Sequence, residues 1–188
     1  MSYYDELENV LSYIQMADGF DGSRLIQKLH PHLAQGSSIL EIGMGSGKDY
    51  DILAESYDVT GSDRSTVFLE LYQNKNPDAR LMQLNAATLQ TSQQFQGIYS
   101  NKVLQHLTRD ELKESLSRQK EILVSGGIAM HSFWAGDREE EHNGLLFLYY
   151  REHDIRNLVE PHFEILEMKR YNEMEAGDSI YAILRSRA

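Results

Sequence analysis

Apolar positions along the chain follow two spacings, and the change between them predicts the elements of the fold. Leu7, Val10, Leu11 and Ile14 recur every three or four residues, which predicts an N-terminal helix with this face against the domain. From Ile39 onward, short apolar runs alternate with stretches of helical spacing. The runs predicted as strands lie at residues 39–42, 58–61, 80–84, 97–100, 128–133, 163–168 and 180–184.

This alternation of strands and helices predicts a fold class. It is typical of a parallel sheet covered by helices on both faces. The last two predicted strands are joined only by residues 171–178, too short a connection for a helical crossover, so they should form an antiparallel hairpin. We therefore predict an α/β fold with a doubly wound, mostly parallel, seven-stranded sheet and one antiparallel strand near its C-terminal edge. No repeat or linker divides the chain, so residues 1–188 are predicted to form a single domain.

Charge and composition exclude several function classes. The 18 basic and 29 acidic residues give a formal net charge of −11, which disfavours nucleic acid and anionic membranes as partners. The absence of cysteine removes disulfides, thiolate metal sites and cysteine nucleophiles. The histidines lack metal-ligand spacing, so no metal is predicted. The acidic N-terminal segment does not resemble a secretion signal, and we expect a cytoplasmic protein.

A glycine-rich turn follows the first strand of the alternating region, at residues 40–49, LEIGMGSGKD. Open parallel sheets bind ligands at this place, beyond the carboxyl ends of their strands. Glycines let the backbone approach a ligand closely, and the N-terminus of the next helix offers free N–H groups. The turn therefore predicts a ligand site.

Three ligand families use such a turn, and they require different residues. The phosphate loop fails at Ile42, which replaces its first glycine, and at Asp49, which replaces its hydroxyl residue. The dinucleotide fingerprint matches poorly, because Lys48 takes the position of its third glycine. A merely tight turn is the plain alternative. The remaining pattern, an acidic residue followed by three alternating glycines, matches at Glu41, Gly43, Gly45 and Gly47.

This turn resembles the first motif of the class I, Rossmann-like S-adenosylmethionine-dependent methyltransferases. The likeness is greatest to the small-molecule type of ubiquinone and menaquinone biosynthesis, and it continues in register to the end of the chain. Residues 59–65 resemble the second motif of the family, residues 95–107 its fourth motif, and residues 123–128 the turn before the fifth strand, without the usual proline. The resemblance implies binding of S-adenosylmethionine and in-line transfer of its methyl group to a small soluble acceptor.

The resemblance also implies a set of cofactor-binding residues. Asp63 would accept hydrogen bonds from both ribose hydroxyls, Arg64 would lie along the adenine, and Glu41 would anchor the ammonium group. Lys48 either offsets the cofactor carboxylate or is a solvated helix lysine. The full predicted set is Glu41, Gly43, Gly45, Gly47, Asp63, Arg64, Asn85, Ala86, Ser100 and Asn101.

On the acceptor side, the resemblance places His106 near the substrate, where it would be either a base or a packing group. Tyr4 lies in the N-terminal helical region, residues 1–35, that we expect to act as a lid. Trp134 and Tyr150 flank the loop 134–150, which forms the acceptor pocket in relatives. The acidic run 137–141 within this loop is either a solvated face or a selector for cationic acceptors.

Two other functions remain as alternatives to methyl transfer. One is a binding protein that keeps the S-adenosylmethionine site without catalysis. The other is a nicotinamide-dependent oxidoreductase, which Lys48 and the predicted closing hairpin disfavour.

Overall fold

The computed structural model describes residues 3–187 of the chain, which form nine strands, six α-helices and two short 3₁₀ turns. The strands are β1 Ser38–Ile42, β2 Asp58–Asp63, β3 Leu81–Gln83, β4 Phe95–Asn101, β5 Leu123–Trp134, β6 Glu139–His142, β7 Leu145–Leu148, β8 Phe163–Tyr171 and β9 Ser179–Ser186. The helices are α1 Leu7–Met16, α2 Ser23–Leu29, α3 Lys48–Ala54, α4 Thr66–Lys75, α5 Arg109–Ile122 and α6 Glu152–Val159, and the 3₁₀ turns span Tyr3–Asp5 and Leu104–His106.

Seven strands make one sheet in the order β3-β2-β1-β4-β5-β9-β8. All neighbours from β3 to β5 are parallel, whereas β9 is antiparallel to both β5 and β8. The strand order reverses between β1 and β4, and such a reversal opens a crevice at the carboxyl ends of the strands. The predicted fold class is confirmed, including its single antiparallel strand.

The sheet is buried on both faces because successive side chains of its apolar strands point to opposite sides. In β1, Ile39 belongs to the apolar cluster that packs α2, α3 and α4 against one face. Leu40 belongs to the cluster that packs α5 and α6 against the other. Both side chains are fully buried, and burying a residue of this size contributes about 1.5–3 kcal/mol. The crevice therefore lies on a rigid support.

Residues 134–150, predicted as a loop, contain a β-hairpin formed by β6 and β7. The prediction missed it because neither strand alternates: β6 reads EEEH and β7 reads LLFL. The signal was in the turn, where Asn143 and Gly144 have φ of 52° and 71°. Asn-Gly at positive φ is the preferred two-residue hairpin turn.

The N-terminal helix α1 is only partly packed on the domain. Val10 is fully buried, but Leu7 and Leu11 remain 52% and 50% exposed. The expectation that the whole apolar face turns toward the domain is therefore wrong for these two leucines. Across residues 3–187, no helix combines the length and apolar character needed to cross a membrane.

Candidate functional site

The glycine turn after β1 lies at the crevice, and its backbone explains its composition. Gly43, Gly45 and Gly47 have φ of 69°, 50° and 83°, values that side chains other than glycine rarely adopt. A Cβ at Gly43 would lie 2.6 Å from the Val103 side chain, and one at Gly47 would lie 2.2 Å from the Tyr72 ring. Gly43 and Gly45 line the crevice, whereas Gly47 is a packing position at the start of α3.

Two adjoining cavities open at this edge of the sheet. The strand-end cavity, about 450 Å³, is lined by residues that follow β2 and β3, including Asp63 and Asn85. The aromatic cavity, about 290 Å³, is lined by Trp134 and Phe147, among others. The residues that line both are Tyr4, Tyr13, Gly43, Gly45, Asn101, Lys102 and His106. Together the cavities form a two-part site of the size that small ligands require.

Asp63 is held at the end of β2 by the backbone on either side of it. Its Oδ2 accepts a hydrogen bond from the Gly45 N–H at 3.0 Å, and its Oδ1 accepts one from the Ser65 N–H at 2.9 Å. Burial raises the pKa of this carboxyl, and the backbone hydrogen bonds oppose the shift. Each carboxylate oxygen keeps further acceptor capacity for a ligand in the strand-end cavity.

Three other predicted residues line the same cavity. Arg64 is exposed, and its carbonyl accepts a hydrogen bond from the Gln83 side chain at 3.2 Å. The Asn85 Oδ1 accepts one from the Ala87 N–H at 2.8 Å, so only part of its acceptor capacity is left for a ligand. Ala86 lies beside it and also faces the cavity. The structure therefore brings Asp63, Arg64, Asn85 and Ala86 together.

Glu41 lies deep in the wall of the aromatic cavity, with only 3% of its surface exposed. Its Oε2 is buried and has no hydrogen-bond partner within residues 3–187. Burial raises the pKa of this carboxyl well above its usual value, and the nearby Asp49 and Asp63 carboxylates raise it further. A buried carboxylate without a partner is costly. Glu41 therefore favours a ligand that brings a positive charge or a hydrogen-bond donor.

Asp49, which the sequence analysis considered only as a mismatch to the phosphate loop, organises the floor of the aromatic cavity. Its Oδ1 accepts a hydrogen bond from the Gly22 N–H at 2.6 Å. Its Oδ2 accepts from the Tyr99 hydroxyl at 2.9 Å and from the Asn101 side-chain amide at 3.1 Å. The available signal was an acidic residue in the first turn of α3, where the helix dipole favours negative charge.

The two residues predicted at the end of β4 point in different directions. The Asn101 side chain lines both cavities and is held between Asp49 and the Ser132 hydroxyl, which donates to its Oδ1 at 2.5 Å. Ser100 is buried, lies 2.8 Å from the Nδ1 of His131, and lines neither cavity. Side chains of neighbouring residues in a strand point to opposite faces of the sheet, so only one of these two can point toward the ligand. The structure does not bring Ser100 to the site.

His106 lies in the 3₁₀ turn after β4 and lines both cavities. Its Nδ1 is 2.7 Å from the carbonyl oxygen of Leu146 in β7. Because a carbonyl only accepts, Nδ1 carries the hydrogen, and in the neutral ring Nε2 is left with a free lone pair. Burial lowers the pKa of His106, and the Leu146 contact partly opposes this. The hairpin thus selects the ring form that can accept a proton.

The predicted substrate residues have different surroundings. Tyr4 lines both cavities, packs edge-on against Tyr13 with ring centroids 5.3 Å apart, and accepts a 2.5 Å hydrogen bond from Ser65 at its carbonyl. Trp134 lines the aromatic cavity. Tyr150 is fully buried against Phe133 and lines neither cavity, so the structure does not bring it to the site.

Lys102 is a second residue that the sequence analysis missed, although it lies in the fourth motif. Its φ is 57°, and its Nζ donates to the Phe133 carbonyl at 3.1 Å and to the Ser179 hydroxyl at 2.5 Å. The same atom lies 3.7 Å from the centroid of the Trp134 ring. Burial lowers the pKa of Lys102 to about 8. A single lysine in the sequence of a motif does not indicate which distant residues it will contact, so these contacts could not be predicted.

Charged residues at the rim are mostly engaged with one another. The Lys48 Nζ donates to the Ala17 carbonyl at 2.9 Å and to Asp18 at 3.2 Å, so it holds the end of α1. The acidic run 137–141 is exposed and its side chains line neither cavity. Asp137 pairs with Arg151 on the surface. Within the described part of the chain, no group of three or more acidic or histidine side chains is arranged to hold a metal ion.

Comparison with known families supports the resemblance seen in the sequence. Residues 39–127 match the family described as "Methyltransferase domain". This matched segment runs from β1 to the start of β5 and includes the glycine turn, Asp63 and His106. No curated protein matches the sequence.

Solved structures match the fold over nearly the whole chain. The 1,6-didemethyltoxoflavin-N1-methyltransferase of Burkholderia thailandensis, with 1,6-didemethyltoxoflavin and S-adenosylhomocysteine bound, is 23% identical and has a TM-score of 0.80, covering 96% of this chain and 86% of that one. The N-methyltransferase NodS of Bradyrhizobium japonicum, with S-adenosylhomocysteine, is 18% identical with a TM-score of 0.77 and covers 100% of both chains. A TehB-like methyltransferase of Corynebacterium glutamicum is 21% identical with a TM-score of 0.76, covering 97% and 100%.

Proposed function

We propose that this chain, whose residues 39–127 match the family described as "Methyltransferase domain", transfers the methyl group of S-adenosylmethionine to a small acceptor molecule. The observation that carries the proposal is Glu41, a buried carboxylate whose Oε2 has no partner within residues 3–187. Asp49 and Asp63 lie close enough to raise its pKa. Such an acidic wall suits a ligand with two positive charges, the ammonium and the sulfonium.

The donor-site residues fit this ligand along the length of the crevice. Asp63 offers acceptor capacity to the ribose hydroxyls in the strand-end cavity, and Asn85 and Ala86 border the place for the adenine. Gly43 and Gly45 allow the ligand to approach the backbone. Glu41 holds the ammonium, and Asn101, fixed by Asp49 and Ser132, lies where the two cavities meet.

The chemistry asks the protein mainly to position, to exclude water and to remove a proton. S-adenosylmethionine supplies a methyl group on a positively charged sulfur, which keeps the electron pair of the broken bond when carbon bonds to the acceptor. His106 is proposed as the base: Leu146 fixes its hydrogen on Nδ1, and the free Nε2 accepts the proton of the acceptor. Tyr4 and Tyr13 of the N-terminal segment cover both cavities and exclude water.

A small molecule is the proposed acceptor because the aromatic cavity is small, about 290 Å³. The Burkholderia protein, whose fold is similar, was solved with 1,6-didemethyltoxoflavin bound. The net charge of −11 disfavours nucleic acid and anionic membranes. A cytoplasmic location remains a prediction from the sequence.

Titration calorimetry tests the proposal against its alternatives. We expect S-adenosylmethionine and S-adenosylhomocysteine to bind and nicotinamide dinucleotides not to bind. Tight binding of NAD with no response to S-adenosylhomocysteine would end the proposal. Incubation with S-adenosylmethionine and a pool of metabolites should then release S-adenosylhomocysteine. Cofactor binding without any release, across such pools, would favour a catalytically silent binding protein.

A further inference from the structure

We propose that the acceptor is a planar aromatic molecule without a positive charge, which binds against Trp134 and Phe147 and presents an N–H or O–H group to His106. This inference rests on the proposed methyl transfer and adds the substrate class. It is carried by the walls of the aromatic cavity, by the position of Lys102, and by the hydrogen bond that fixes the His106 ring.

The aromatic cavity presents an unusual amount of exposed apolar surface. Met16, Phe20 and Met174 are 71%, 47% and 66% exposed, and all three line this cavity. Trp134 and Phe147 complete the apolar wall. Exposed apolar side chains gathered around one concave site indicate a ligand that covers them. Aromatic rings and thioether sulfurs together favour a flat aromatic ligand, because both contact ring faces and edges well.

The Trp134 ring already has a positive charge on it. The ammonium of Lys102 lies 3.7 Å from the ring centroid and is fixed there by Phe133 and Ser179. A cationic acceptor stacked on the same indole would be repelled by this ammonium, whereas a neutral or electron-rich ring would be attracted to the indole that it polarises. Lys102 therefore selects against positive charge.

The acidic groups at this cavity have other partners. Glu173 lies beside Lys102 and acts on it electrostatically. The Asp21 carboxylate accepts a hydrogen bond from the Ser23 N–H at 2.9 Å. Glu41 and Asp49 belong to the donor end of the site. For the acidic run 137–141, one of the two interpretations in the sequence analysis would allow a cationic acceptor to be selected. Its side chains contribute nothing to the cavity wall.

His106 adds the requirement for a transferable proton. Its Nε2 is an acceptor, so the atom that receives the methyl group must be able to give up a hydrogen to it. The acceptor oxygen or nitrogen forms a bond to the methyl carbon, the bond from that carbon to the sulfonium sulfur breaks, and the proton moves to Nε2. An aromatic N–H or O–H loses its proton more readily than an aliphatic one.

Three ligands of similar size test this inference with S-adenosylhomocysteine bound: the planar 2-naphthol, protonated 2-(aminomethyl)naphthalene, and the saturated, non-planar decahydro-2-naphthol. By titration calorimetry, 2-naphthol should bind about tenfold more tightly than the ammonium compound and about three- to tenfold more tightly than the saturated alcohol. Equal or tighter binding of either comparison ligand, or no binding of 2-naphthol, would overturn the inference.

Two variants and a control locate the effect. Lys102→Met should bring the affinities of 2-naphthol and the ammonium compound toward equality, while Lys169→Met, an exposed lysine of β8, leaves the ratio unchanged. Trp134→Leu should remove the preference for the aromatic over the saturated alcohol. This second variant still tests the inference if Lys102→Met does not fold. An unchanged preference in Trp134→Leu contradicts the inference. Failure of S-adenosylhomocysteine to bind the unmodified protein would instead contradict the proposed function.

Discussion

The two cavities of the site are built on different parts of the molecule. The strand-end cavity takes Gly43, Asp63 and Asn85 from the ends of β1, β2 and β3, where a backbone ladder fixes each position, and residues 144–146 of the hairpin also contribute to its lining. The aromatic cavity depends on elements outside the sheet: α1, the 3₁₀ turn that carries His106, and the β6–β7 hairpin. The residues proposed to bind the donor are thus set mainly by the rigid sheet, whereas the wall of the aromatic cavity depends more on attachments that can vary without altering the sheet.

This difference indicates which part of the site can change its specificity without changing the fold. A carboxylate such as Asp63 is positioned by neighbours within the same sheet edge. His106 is positioned by Leu146, forty residues further along the chain in the hairpin. Changes in the attachments should therefore reduce turnover more strongly than they weaken recognition of the methyl donor.

Removal of the N-terminal attachment should have the largest effect. Without residues 1–20, of which 1 and 2 lie outside the described residues, the domain should fold, bind S-adenosylhomocysteine more weakly, and lose nearly all turnover. The reason is that Tyr4 and Tyr13 line both cavities, where the proposed lid would exclude water. Circular dichroism melting beside a cofactor titration measures this. A collapsed melt, or full-strength binding in a stable truncation, would refute the lid.

His106→Asn should lower kcat by about 100-fold, because a positioned base contributes about that factor or more. Binding of S-adenosylhomocysteine should stay within about twofold, since His106 is not assigned to the donor. Burial lowers the pKa of His106 below its usual 6.5, so the rate of the unmodified enzyme should fall only as the pH drops through that lowered value. A pH–rate profile of the two proteins checks this. A packing role for His106 predicts an unchanged profile.

Asp63→Ala should weaken binding of S-adenosylhomocysteine at least tenfold. Two hydrogen bonds to a charged group are lost, each worth about 1.5–3 kcal/mol, and the Gly45 and Ser65 N–H groups lose their acceptor. The exposed Asp78→Ala is the matched control and should bind normally. If calorimetry gives the same dissociation constant for Asp63→Ala as for the unmodified protein, the second motif is misassigned.

Glu41→Gln should have the smallest effect of these changes. In the unligated protein it should raise the free energy of unfolding rather than impair a property. The pKa of Glu41 is raised in the fold above its usual 4.5, so the folded protein holds a proton that the unfolded chain releases. Stability therefore falls as the pH rises from about 4.5 through the raised value. At pH 8 the variant should melt higher, by about 2–4 °C for each kcal/mol regained.

The same Glu41→Gln variant should bind S-adenosylmethionine more weakly, because the ammonium loses its counter-charge. Exposed Glu70→Gln serves as the control for both measurements. A lower melting temperature in Glu41→Gln, with unchanged affinity, would mean that the carboxylate is a structural group rather than a ligand anchor.

The structure brings the residues predicted for the donor together more completely than those predicted for the acceptor. Glycines at fixed spacing and an acidic residue after a strand are local signals, and the sheet then brings Gly45 and Asp63 to hydrogen-bonding distance. Tyr150 and Ser100 are buried and line neither cavity, because the direction in which a side chain points is set by packing across the sheet. Asp49 and Lys102 were missed because their partners lie up to 77 residues away, where no spacing rule applies.

The position of β9 has a consequence for how the molecule is assembled. This strand is inserted between β5 and β8, and it pairs with residues 128–134 of β5 and with nearly the whole length of β8. Contacts between distant parts of a chain form late in folding because they close the longest loops. Ser179, the first residue of β9, holds the ammonium of Lys102. The wall of the aromatic cavity that holds Lys102 and Trp134 is therefore completed only when β9 joins the sheet, and under the proposed function a partly folded chain would lack the acceptor site.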